Sequence, residues 1–307
     1  PGKVDPMRKT TRFKQLISAP ELLMMPGAHD ALSARIAANA GFDALVVGGF
    51  ATTGVLLGEP DSSQLTMSEL ATHYGRICDA VEIPVFVDGD TGFGNVTNVA
   101  RTVRAFEKAG VSAMFIEDQV FPKRCGHMPG KAVVEIGDYL DKLKAALDTR
   151  IDPDFAIMGR TDALAVHGID AAIERAQMFA EIGADIVFVE APPDIASMRR
   201  ICAEIDAPHI ANMADFGNTP LLTADELQEI GFAGAVWPVT GLFAITKAMQ
   251  KAYGALKRDG TSKAAHPDMV DFQAFTDLVG LPALRDREEE YLGFARDYLA
   301  KRKQAAE

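Results

Sequence analysis

Five consecutive residues, Lys123-Arg124-Cys125-Gly126-His127, set a thiol among two cations and an imidazole. They follow two acidic clusters, Asp88-Gly89-Asp90 and Glu117-Asp118. Positive charge favours the thiolate, so Lys123, Arg124 and His127 single out Cys125 among the cysteines, while Gly126 permits the bending that a mobile loop requires. The carboxylates are hard oxygen donors suited to Mg2+, with Mn2+ as the alternative, held partly through water. Asp88 and Asp90 stand at i and i+2, which on a strand point the same way, and Glu117 supplies a third carboxylate from the next strand. Asp61, in Gly58-Glu59-Pro60-Asp61, lies in a loop able to reach over the same place. The combination points to acid/base chemistry on an anionic substrate. Plainer readings exist for the parts: Asp90-Thr91-Gly92 as a turn, Asp61 as a helix cap, and the basic loop as surface with an incidental cysteine.

Such residues need a scaffold that brings distant segments together. Short apolar runs at 22–25, 44–47, 85–87, 113–116, 155–158, 186–189, 209–211 and 234–237 alternate with helix-like stretches such as 96–109, 137–146, 169–182 and 195–204. Gly110, Gly183 and Gly231 fall where left-handed helix caps are wanted. Eight βα units in roughly 250 residues predict an α/β protein of the (β/α)8 barrel type, and the chain through residue 307 reads as a single barrel domain. The positions just after the strands hold Gly48-Gly49, Asp88-Gly89-Asp90, Glu117-Asp118, Arg160-Thr161-Asp162, Glu190, Asn212 and Pro238, which a barrel gathers at one mouth. Arg160 could clamp a carboxylate there or pair with the nearby Asp162, and Glu190 and Asn212 would complete a polar ring. The segment after the first strand, Pro26-Gly27-Ala28-His29-Asp30, is not the G-x-G-x-x-G of a dinucleotide site.

Beyond a helix at 242–256 and a polar connection at 257–266, a helical tail runs from about 269 to 303. Its apolar residues, among them Val270, Phe272, Phe275, Tyr291, Leu292, Phe294 and Leu299, need a covering surface, either a neighbouring subunit or the tail's own barrel.

Composition narrows the class. A formal net charge of −12 argues against nucleic acid or an anionic membrane as partner, and 48% hydrophobic residues suffice for a large core. No apolar run spans a bilayer and no leader pattern opens the sequence, so a cytoplasmic enzyme is expected. Cys78, Cys125 and Cys202 form neither a disulfide framework nor a zinc pair, and Cys78 and Cys202 fit buried helix positions. His29, His73, His167, His209 and His266 lack metal-site spacing, while Trp237, Met24, Met25 and Met114 read as packing.

Five motifs resemble the isocitrate lyase/phosphoenolpyruvate mutase superfamily. They are Val-Asp-Gly-Asp-Thr-Gly-Phe-Gly at 87–94, Ile-Glu-Asp-Gln at 116–119, Pro-Lys-Arg-Cys-Gly-His at 122–127, Gly-Arg-Thr-Asp-Ala at 159–163 and Ala-Asn-Met at 211–213. The likeness runs over nearly the whole chain, and the Lys-Arg-Cys-Gly-His loop is similar to that of the carbon-carbon lyase branch, which includes 2-methylisocitrate lyases, 2,3-dimethylmalate lyase and oxaloacetate hydrolase. The resemblance implies Mg2+ near Asp88, Asp90 and Glu117 with Asp61 close by, a gating loop at 120–132, Cys125 as catalytic acid, and terminal helices, 267–307, exchanged in a homodimer or homotetramer. It implies cleavage of a 2-hydroxy dicarboxylate to a 2-oxo acid and a carboxylic acid, with Lys123, Arg124, Gly126, Arg160, Glu190 and Asn212 around the substrate. Oxaloacetate hydrolysis and phosphonomutase chemistry are the alternatives on the same scaffold. Methylisocitrate lyases carry a tyrosine and a serine where this chain has Val46 and Gly48, and an arginine where it has Met128. A smaller alkylated malate is therefore expected in place of a tricarboxylate, with Gly48, Gly49 and Phe50 lining the pocket.

Overall fold

The computed structural model describes residues 7–124, 126 and 130–306; Cys125, His127 and Met128 lie outside them. Eight short strands alternate with helices in chain order: β1 Leu23–Pro26, β2 Leu45–Val47, β3 Val85–Asp88, β4 Ala113–Glu117, β5 Ala156–Thr161, β6 Ile186–Val189, β7 Ile210–Asn212 and β8 Gly234–Trp237. Every pairing is parallel. β2 to β6 follow one another in sequence order, and β1, β8 and β7 form a second run. Two parallel bridges, Gly27 to Val46 and Val187 to His209, join the runs at both ends. The pairing order thus closes on itself, consistent with a (β/α)8 barrel.

Side-chain alternation sorts the core into two shells. Met25, Val46, Phe86, Phe115, Met158, Phe188, Ile210 and Val236 point into one cluster inside the strands, where Phe13 and Ile17 of helix Lys9–Ile17 join it. Val47, Val87, Met114, Ile116, Ile157 and Val189 face the surrounding helices, packing with Tyr74, Phe106, Tyr139 and Phe179. Helices start and stop on local chemistry. Asp30, Thr66, Asn95 and Thr223 make capping boxes, and Gly110, Gly183 and Gly231 take φ of +83°, +101° and +116° just past helix ends.

Met25 and Met114 are fully buried, but Met24 is 37% exposed because it projects from the opposite face of β1, correcting its expected place in the packing. Cys78 is buried and Cys202 half-buried, and burial pushes both thiols up to about 12, far from reactive. His73 and His209 bond backbone oxygens through Nε2, to His29 and Ile205 respectively.

Residues 246–307 form a second compact unit. It comprises the rest of helix Thr240–Asp259, a 3-10 turn at Lys263–Asp268 and helices Phe272–Leu278 and Leu281–Gln304. Among the described residues no helix is long and apolar enough to cross a membrane.

Candidate active site

The carboxyl ends of the strands surround a cavity of about 270 Å³. Its floor is the inner strand shell, with Val46, Phe86, Met158 and Ile210; the rest of its lining includes polar side chains and the rings of Phe50, Phe216 and Phe243. Of the sequence-predicted residues, Gly48, Gly49, Phe50, Asp61, Asp88, Lys123, Gly126, Arg160, Glu190 and Asn212 all line it.

The polar side has two centres. In the first, Lys123 reaches inward and is 3% exposed, with Nζ 2.9 Å from Asp61, 3.0 Å from Asp90 and 3.5 Å from Asp88. Burial alone would lower the pKa of this ammonium, but the surrounding carboxylates hold it well above its ordinary value. Asp88 ends β3, whereas Asp90 lies beyond the strand with φ +46°. The two converge through a turn, closed by Gly92 N–H to Gly89 O at 2.9 Å, rather than by strand alternation. Asp88 is held from both sides: Oδ2 accepts from Gly49 N–H at 2.9 Å and Oδ1 from Asp90 N–H at 2.8 Å. A Cβ on Gly49 would stand 2.8 Å from Asp88 Oδ2, so this tight approach needs glycine. Burial pushes the Asp90 carboxyl up to about 6, against the pull of Lys123.

The second centre is Arg160 on β5. Its guanidinium chelates Asp162 at 2.9 and 3.2 Å, reaches Glu190 at 3.0 Å and Glu117 at 3.3 Å, and lies over the rings of Phe115 and Phe188. Both possibilities read for this arginine are therefore on one side chain: it is paired with Asp162 and faces the cavity. Burial pushes the Glu117 carboxyl well above its usual range despite Arg160 and Lys123, and neither of its oxygens accepts a hydrogen bond from any described residue. Asn212 donates weakly to Glu190, at 3.4 Å.

The loop carrying the cysteine is tied down at its described residues. Residues 118–120 and 132–134 pair antiparallel at its base, Gln119 donates to and accepts from the Arg124 backbone, and Lys123 N–H donates to Ser63 Oγ at 3.1 Å. Gly126 is pressed onto the second centre, where a Cβ would meet Glu190 Oε2 at 2.5 Å and Arg160 Nη2 at 2.6 Å. Lys123 therefore spends its charge in the carboxylate nest. Arg124 instead contributes the backbone that Gln119 clamps.

Sequence reasoning missed the residues that brace these centres. Lys131 Nζ donates to both Gly126 O and Asp162 Oδ1, at 2.5 and 2.7 Å. Asp118 accepts from Thr161 Oγ1, Asp162 N–H and Arg175, and Tyr139 Oη ties Ile116 O to Arg160 N–H. The acidic pair Glu117-Asp118 was the available signal, since a second buried carboxylate beside the first requires partners of its own. Burial would raise the Asp162 carboxyl, yet Arg160 and Lys131 bring it down to about 2. A carboxyl depressed on folding adds stability above its unfolded pKa and loses it as pH falls through the folded one. The wild-type protein should lose stability between about pH 4 and 2 in chemical denaturation. Asp162→Asn should lack that part of the slope and unfold more readily at neutral pH, and an unchanged slope would remove Asp162 from the account.

Comparison with known proteins decides the lineage. The phosphoenolpyruvate phosphomutase family model matches residues 13–257. The chain is 43% identical to 2,3-dimethylmalate lyase of Eubacterium barkeri over 285 residues, covering 93% of this chain and 99% of that one. The protein belongs to the isocitrate lyase/phosphoenolpyruvate mutase superfamily. Within it, the chain falls in the carbon-carbon lyase branch: 2-methylisocitrate lyase of Escherichia coli strain K12 is 42% identical over 82% of this chain and 86% of its own. Among solved structures, oxaloacetate acetylhydrolase with 3,3-difluorooxalacetate superposes with a TM-score of 0.88 at 31% identity, covering 95% of this chain and 98% of that one. 2,3-Dimethylmalate lyase superposes with 0.87 at 31%, covering 94% and 96%. This superfamily member is thus an enzyme, and the mouth described above is where a barrel enzyme places its chemistry.

Proposed function

We propose that the protein is a Mg2+-dependent lyase that splits a 2-hydroxy dicarboxylate of the alkylmalate type into a 2-oxo acid and a carboxylic acid. The observation that carries the choice of a dicarboxylate is the sparse positive charge of the cavity. Among the described residues only Lys123 and Arg160 bring cations to its wall, and both are already engaged by carboxylates. A third substrate carboxylate would be desolvated there without a partner. Similarity to 2,3-dimethylmalate lyase over nearly the full length of both chains supports the same reading.

The donor set fits the metal that the family implies. Asp61, Asp88 and Asp90 converge on one point, and Glu117 keeps both oxygens without a hydrogen-bond donor among the described residues. As they stand, no described group of three such side chains is arranged to hold a metal, and Lys123 Nζ lies among the three aspartates. Asp61, Asp88, Asp90 and Glu117 would hold Mg2+ once the ammonium leaves, and the bound ion would acidify the 2-hydroxyl and steady the developing 2-oxo acid.

The protein's own groups handle the rest. Arg160 faces the cavity as a fixed positive centre, able to offset the charge that develops on the departing carboxylate enolate. Breaking the bond between C2 and C3 leaves an electron pair on C3 while the hydroxyl oxygen becomes the 2-oxo group. Cys125 supplies the proton that C3 takes up, and the loop that bears it keeps water from the enolate. The hydroxyl proton passes to solvent and the thiolate left on Cys125 regains a proton from solvent when the product departs, so the cleavage is neutral in protons over a turnover.

Hydrolysis of oxaloacetate is the second reading, favoured by the superposition on oxaloacetate acetylhydrolase. Mass spectrometry after incubation with Mg2+ and 2,3-dimethylmalate, 2-methylisocitrate, other alkylmalates, oxaloacetate or phosphonopyruvate separates them. A 2-oxo acid released from an alkylmalate is expected; oxalate from oxaloacetate alone would move the protein to the hydrolase reading.

The same proposal places helix Leu281–Gln304 against a neighbouring subunit. Tyr291, Phe294 and Tyr298 recur at helical spacing and are exposed, as are Leu292 and Leu299. Light scattering should find a dimer or tetramer, which Leu292→Asp with Leu299→Asp should dissociate; a wild-type monomer would end the idea.

A further inference from the structure

Three aromatic side chains from three separate segments meet at the wall of the cavity. Phe50 follows Gly49 in the first turn of helix Gly49–Leu57, Phe216 lies in the loop after β7, and Phe243 is in the first turn of helix Thr240–Asp259. The Phe243 ring stands 6.3 Å from each of the other two, edge-on to Phe50 at 86° and tilted 35° to Phe216. Pro238 and Val239 extend this wall. Its one carboxylate among the described residues, Asp215, accepts from Thr240 Oγ1, so no charge there calls for a polar ligand.

Phe216 is the informative member. It is 95% exposed, and its backbone holds φ at +60°, a region that bulky residues seldom enter. An aromatic ring kept bare in a disfavoured backbone conformation at a cavity mouth has its apolar face available to whatever fills the cavity. The polar centres need only the 2-hydroxyl and the two carboxylates of a malate skeleton, which leaves the aromatic wall facing whatever substituent that skeleton carries.

We propose that Phe50, Phe216 and Phe243 form a subsite for an apolar substrate substituent larger than methyl, so that the preferred substrate is a malate bearing a longer alkyl or an aryl group. This rests on the lyase reading for turnover but not for binding. Burying hydrocarbon against such a wall strengthens binding by about four-fold per methylene, whereas a carboxylate on the same arm would lose its water without gaining a cation.

The test runs two series in parallel with Mg2+ present. One measures kcat/KM for malates carrying methyl, ethyl, propyl, butyl or benzyl groups; the other measures, by calorimetry, binding of the matching alkylsuccinates, which lack the reactive hydroxyl. Both should rise by about four-fold per added methylene until the wall is covered. Phe243→Ala should flatten the slope. Phe216→Ala should do so too, and being exposed, its ring can be removed without opening the core. A flat or falling series, or slopes that survive both substitutions, overturns the subsite. Rising succinate affinity without cleavage of any malate would instead sink the lyase reading and leave the subsite standing.

Discussion

Lys123→Met should destabilise the metal-free protein by about 3–5 kcal/mol, the cost expected when one partner of a buried ion cluster is removed and the others stay behind. Asp61, Asp88 and Asp90 would then face one another without the ammonium that now lies within 3.5 Å of all three. The penalty should depend on pH in a defined direction. Burial already pushes Asp90 up to about 6 with Lys123 in place, and removing the cation can only push it further. A carboxyl whose folded pKa lies above its unfolded value binds more protons in the folded state, so stability falls as pH rises through the window between them. Lys123→Met should therefore lie closest to wild type near pH 5 and furthest from it near pH 8. Since the ammonium and a divalent cation claim the same point, Mg2+ should raise the melting temperature of the variant more than that of the wild type. Equal melting temperatures without metal at both pH values, or an equal gain with Mg2+, would show that the nest does not depend on Lys123.

That lysine also shows where reading the sequence stops. The eight strands are legible because apolar runs and glycine-marked helix ends are local signals, and each observed strand overlaps its predicted run. Boundaries slip where polar residues join the ladder: β5 continues through Arg160 and Thr161, which pair with Phe188 and Val189, and no hydrophobic run could announce that. The residues at the mouth were legible as a set because barrel topology gathers strand ends. Their pairings were not. Two residues before Cys125 in the chain, Lys123 reads as a cation for the thiol; in space it is absorbed by Asp61, 62 positions away, and by Asp88 and Asp90 at the end of β3 and just beyond it, roughly 33 to 35 positions away. The bracing by Lys131, Arg175 and Tyr139 likewise joins residues remote in sequence, through hydrogen bonds that leave no periodic trace. The aromatic wall comes from Phe50, Phe216 and Phe243, whose meeting depends on closure of the barrel between its last strands and its second.

Cys125→Ser should reduce turnover by at least about 100-fold while leaving Mg2+ and substrate binding within a few-fold of wild type, because a hydroxyl is a far weaker acid than a thiol and general-acid steps contribute roughly 10²–10⁴. The expected split, with kcat lost and KM nearly kept, distinguishes a proton donor from a binding group. Two features nearby sharpen the test. Lys131 pins Gly126 O to Asp162, and Gly126 packs against Arg160 and Glu190, so the residue after the cysteine is fixed to the polar side of the cavity. Releasing that tether with Lys131→Met should also lower kcat, yet the thiol would remain and its pH profile should keep the wild-type acidic and basic limbs. In Cys125→Ser the limb belonging to the donor should vanish. The cleaved bond offers a further readout: each cleavage yields one 2-oxo acid and one carboxylic acid, and in D2O the acid should carry deuterium at the former C3, placed stereospecifically by the wild type and without stereocontrol by the slow serine variant. Full turnover by Cys125→Ser would remove the cysteine from the chemistry and direct the search for the acid to Glu117, whose carboxyl burial already holds well above its usual range.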